Sequence, residues 1–197
     1  MKFRIKNCSV IITPLFCAFL CALLLVDKTG LMLFGLLSAM IHEFGHIFFI
    51  KFSKKRINKI VFQLGGIIID CKGIVSYKNE FLISLGGCLF NLIALVISLS
   101  FYSINHNQMI LLFGATNFAL LIFNLIPIEG LDGLDLIKYL LLTTFCVEKA
   151  KLYCKIISLI SITILFLITI ILFVNQQNIS LFVWLLYLII LMLIFKK

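Results

Sequence analysis

Residues 31–50 read LMLFGLLSAMIHEFGHIFFI. Twenty almost wholly apolar residues make a helix of roughly 30 Å, the thickness of a bilayer's hydrocarbon core. No other stretch constrains the fold as much. In lipid the backbone must satisfy its own hydrogen bonds, and a helix does so within one segment. The same run holds three ionisable groups, His42, Glu43 and His46. Such a group at membrane depth costs about 2.5–3.5 kcal/mol on insertion scales and usually marks function. His42 and His46 are four apart and share one helix face, with Glu43 beside them. H-E-x-x-H on a helix suits zinc: two imidazoles bind the metal and the carboxylate handles a water proton. A lone histidine on an apolar face is more often a core residue. Here two of the chain's three histidines stand at ligand spacing in a stretch that penalises polar groups.

The rest of the composition supports a membrane setting. Of 197 residues, 63% are hydrophobic and 13% charged, and only two are proline. No soluble domain, repeat or long linker is apparent, so the chain reads as one membrane-embedded domain. Seven cysteines form no C-x-x-C pair, and their odd number argues against a disulfide framework. They read as small apolar residues with free thiols.

Taken in order, a basic arm with Lys2, Arg4 and Lys6 precedes a first apolar run, residues 8–26, which reads as a retained anchor with Pro14 as a kink. Residues 31–50 are the second span. A basic loop over residues 51–59 leads into residues 60–77, which are rich in β-branched side chains and broken by Gly65 and Gly66. That pattern predicts a small β-hairpin or a re-entrant segment at the membrane face. Further spans are expected over residues 81–102, 109–128, 156–174 and 179–195, with residues 134–147 as an interfacial helix or lead-in. The expected fold is therefore an all-α polytopic membrane protein of six transmembrane helices, with the hairpin between the second and third.

With both termini cytoplasmic, every Lys and Arg but Lys28 falls on the inner side, as the positive-inside rule demands. The net charge of +9 then needs no nucleic acid. His106 falls in the loop after the third span and reads as a solvated residue.

A catalytic zinc takes three protein ligands and keeps one position open. The six-span arrangement brings the end of the fourth span to the depth of His42 and His46. Asp132, Asp135 and Glu129 all follow that end and compete for the third place.

HEFGH on the second span and NLIPIEGLDG after the fourth resemble the site-2 protease family of intramembrane zinc metalloproteases. Gly86-Gly87-Cys-Leu-Phe-Asn91 is similar to that family's G-P-x-x-x-N stretch, with Gly87 in place of proline. The six-span, N-inside pattern looks most like the bacterial sporulation-type branch, typified by stage IV sporulation protein FB. The chain departs in having Gly130 before L-D-G and Leu134 after it, and no PDZ or CBS domain is expected.

The resemblance implies a zinc metalloendopeptidase with Zn2+ on His42, His46 and Asp132, and Glu43 as general base. It also places Asn124 near the active site as an oxyanion group, with Asn91 as a second candidate. Gly65 and Gly66 are candidate substrate contacts through strand addition. The implied partners are a membrane-anchored protein substrate, the lipid bilayer and a regulatory membrane protein, with the active site near the cytoplasmic face. Two other readings fit the same chain: a catalytically silent relative that binds membrane segments, and a small transporter.

Overall fold

The computed structural model describes residues 2–5, 8–27, 30–53, 55–63, 66–73 and 75–176. The chain divides into two compact units, Met1–Phe123 and Asn124–Lys197.

The first unit begins with two strands, β1 (Lys2–Ile5) and β2 (Cys8–Ile12), then the short helix α1 (Pro14–Val26). The first apolar run is thus a strand followed by a helix of 13 residues, not one spanning helix. Hydropathy could not separate the two, because Val10, Ile11 and Ile12 are as apolar as the leucines that follow. Proline divides them: Pro14 has no amide proton to donate and occupies the first helical position, where none is needed. Thr13 caps the helix, its hydroxyl accepting the Phe16 amide at 3.4 Å.

Gly30, at φ +76°, turns the chain into α2 (Leu31–Phe52). The Asp27 carboxylate accepts the Met32 amide at 2.8 Å at the start of that helix. After α2 come β3 (Arg56–Gln63) and β4 (Gly66–Lys72), the expected hairpin. Gly66 opens β4 opposite Gln63, so it belongs to the strand. Gly65 lies outside the described residues.

The hairpin does not stand alone. It is half of a four-stranded sheet in the order β1-β2-β3-β4. Strands β2 and β3 run parallel, with Ser9 opposite Lys59 and Ile12 opposite Phe62, and the other two pairs are antiparallel. Two long helices follow, α3 (Tyr77–Asn105) and α4 (Gln108–Leu125). His106 ends α3 in a left-handed conformation and is exposed.

The second unit holds α5 (Asp132–Thr144) and α6 (Val147–Gln176). Helix α6 starts well before the fifth expected span, because Glu148, Lys149, Lys151 and Lys155 mask a helical segment from a hydropathy reading. Gly133, in the first turn of α5, stands where a side chain would not fit. A Cβ there would stand 2.8 Å from the Ile126 carbonyl oxygen and nearer still to that of Leu125. The Ser158 hydroxyl accepts the Glu129 amide at 3.2 Å and ties the preceding turn to α6.

Among the described residues, four helices are long and apolar enough to cross a membrane by length and composition: α2, α3, α4 and residues Val147–Ile171 of α6. The sixth expected span, residues 179–195, lies outside the described residues. The chain is accordingly mostly helical, with a small sheet and four candidate spans, which is the architecture of a membrane protein.

Candidate metal centre

The centre is built on the seam between α2 and α3, which run antiparallel. Gly45 of α2 lies against Gly86 of α3. A Cβ on Gly86 would stand 2.7 Å from the Gly45 carbonyl oxygen, so each glycine admits the other's backbone. Small residues at a helix crossing permit such an approach.

That closeness brings α3 onto the two histidines. A Cβ on Gly87 would lie 2.5 Å from His42 Cε1 and 2.6 Å from His46 Nε2. The bare glycine therefore forms the wall against which both imidazoles rest. The rings meet edge to face, with centroids 4.8 Å apart. Their Nε2 atoms are 3.1 Å apart. Two nitrogens on one tetrahedral zinc, each at about 2.0–2.1 Å, are separated by roughly 3.3 Å. The pair is thus already at ligand spacing.

The back of each ring also faces α3. His46 Nδ1 donates to the Ile83 carbonyl at 2.8 Å. His42 Nδ1 lies 3.3 Å from the Asn91 amide nitrogen. Ile83, Gly87 and Asn91 are successive fourth residues, one stripe along α3. His42 and Asn91 are buried, whereas Glu43 and His46 are half-buried. The second histidine contact was not legible in the sequence, because Ile83 acts through its backbone. In the sequence Gly87 reads only as a member of the family-like stretch, not as a wall for the rings.

His42 and His46 stand together in the first unit, and Asp132, the third ligand that the resemblance implies, opens α5 in the second. Asp135, one of its competitors, has its carboxylate 3.4 Å from the Lys138 ammonium. A donor set of two imidazoles and a carboxylate suits zinc.

The other expected site residues divide. Asn91 reaches the back of His42. Asn124 sits at the end of α4 and is half-buried. Gly66 lies in the sheet, within β4.

No family model matches the sequence, and no curated protein does. Among solved structures, the site-2 protease from Methanocaldococcus jannaschii superposes with a TM-score of 0.67 at 22% identity, over 95% of this chain and 91% of that one. At that identity the likeness is one of architecture: this chain has the fold of a site-2 protease.

Proposed function

We propose that the protein is an intramembrane zinc metalloprotease that hydrolyses a peptide bond in or near the membrane-spanning segment of an anchored protein. The observation that carries this reading is the convergence of His42 and His46 Nε2 atoms at 3.1 Å on a helix long enough to span, with Glu43 beside them. The shared fold supports it.

His42, His46 and Asp132 are the ligands in this reading. Zinc held by them would supply a water of lowered pKa, about 7, and a Lewis acid for a carbonyl oxygen. Glu43 takes the water's proton and passes it to the departing amine nitrogen. Asn124 donates to the oxyanion that develops on the carbonyl.

A helical substrate hides its peptide bonds in its own hydrogen bonds, so the cleaved segment must be extended. Strand β4 ends the sheet order and offers the edge on which such a segment pairs. Gly65 and Gly66 would let it approach closely. The basic residues Lys51, Arg56 and Lys59 support, by the positive-inside rule, a cytoplasmic end for α2, and the β2–β3 pairing joins the N-terminal strands to the sheet that follows it. The sporulation-type resemblance rests on the sequence motifs and this orientation.

The test uses purified protein, its zinc content, and cleavage of a single-span substrate. Glu43→Gln should retain zinc and lose cleavage by at least ~100-fold, the usual contribution of a general base. A zinc-loaded wild type that cleaves no membrane-anchored protein would leave the silent relative. Solute flux through the reconstituted protein would favour the transporter.

A further inference from the structure

Asn91 is completely buried, and its Oδ1 has no hydrogen-bond partner. Its Nδ2 faces His42 Nδ1 at 3.3 Å. In that orientation the amide donates to Nδ1, so a neutral ring carries its proton on Nε2. Such a ring can donate to His46 Nε2, 3.1 Å away, but has no lone pair there for a metal.

His46 has no such choice. Its Nδ1 faces the Ile83 carbonyl, and a carbonyl only accepts. The proton sits on Nδ1 and the lone pair on Nε2. For His42 to serve beside it through Nε2, its Nδ1 must also carry the proton and find an acceptor. Turning the Asn91 amide over supplies one, and Oδ1 gains the partner it otherwise lacks.

We propose that Asn91 is a positioning residue: its amide oxygen accepts the His42 Nδ1–H and holds the ring with Nε2 open to the metal. This rests on the reading of the pair as zinc ligands. It moves Asn91 away from the oxyanion, because the contact is at the back of the ring. It also makes α3 the second support of both ligands, through a backbone carbonyl for His46 and a side chain for His42. Partners of this kind commonly control metal affinity by 10–100-fold.

The test takes the full chain in detergent, stripped of metal and titrated with Zn2+ against a competing chelator. Asn91→Leu keeps the bulk and removes the acceptor, and should weaken zinc binding by about 10–100-fold. Asn91→Asp restores an acceptor without an amide, and should stay within a few-fold of wild type. Leucine binding zinc as tightly as wild type overturns the role. So does aspartate binding as weakly as leucine while melting like wild type. Should the leucine variant fail to fold, 15N spectra of histidine-labelled, zinc-loaded wild type decide. Both rings should be protonated at Nδ1 and metal-bound at Nε2, and metal on Nδ1 of His42 overturns the proposal. A wild type that takes up no zinc at all removes the metal centre, and this role with it.

Discussion

Helix α2 has two faces that could belong to different kinds of protein. Its inner face buries Ser38, His42 and Gly45. Its outer face carries Met40 at 66% exposure and Phe44 at 58%. Helix α3 repeats the pattern: Gly86, Gly87, Asn91 and Ser98 lie inside, and Leu92, Ile93, Val96 and Ile97 outside. A helix of a water-soluble protein reverses this arrangement. Around lipid, apolar area gains nothing by being buried, because acyl chains are as apolar as leucine. Helices are held instead by close backbone approach and interhelical hydrogen bonds. The Ser38–Thr116 hydroxyl contact at 2.9 Å between α2 and α4 is one such bond. Sensitivity to substitution should follow this inversion, with small inner residues critical and large outer ones dispensable.

The sharpest way to break the contrast is Gly87→Ala. One methyl group 2.5–2.6 Å from ring atoms of both histidines must push them apart. Zinc affinity should fall at least ~100-fold, the upper end for disturbed ligand support, as read by chelator competition. Retained affinity would mean that the α2–α3 seam is looser than its glycines imply. Gly45→Ala tests the seam away from the ligands. It places a Cβ 2.7 Å from the Gly86 carbonyl carbon, and should cost about 1–3 kcal/mol as overpacking, read by thermal or denaturant unfolding in detergent. The mildest effect should come from Met40→Leu on the outer face, where the side chain is 66% exposed. Stability should stay within about 0.5 kcal/mol and zinc content should be unchanged. A large loss there would show that this face meets protein rather than lipid.

The features that were legible from the sequence are those with a short period. Two histidines four apart fix a shared helix face wherever the helix sits, and Gly65-Gly66 between β-branched runs announces a hairpin. Asp132 was one of three acids on sequence chemistry alone, and the family likeness singled it out. What escaped depended on partners remote in the chain. Residues 9–12 pair with residues 59–62, and no local pattern of apolar residues records that. The same four residues read equally well as part of the start of a spanning helix. Helix α6 escaped for the opposite reason: charge at its first turns conceals helical continuity. Of the two ring supports, Asn91 was visible as a polar residue in an apolar run, but its position behind His42 was not. The Ile83 carbonyl has no sequence signature, since every residue carries one.

The parallel pairing of β2 with β3 bears on how the polypeptide is made. Ser9 bonds the Asn58 carbonyl across 49 residues, and helices α1 and α2 are synthesised between them. At roughly 5–20 residues per second, the N-terminal hairpin leaves the ribosome several seconds before the strand it must join. During that interval its edge is open to other chains, so biogenesis, more than the finished molecule, sets the demand for protection by chaperone or translocon.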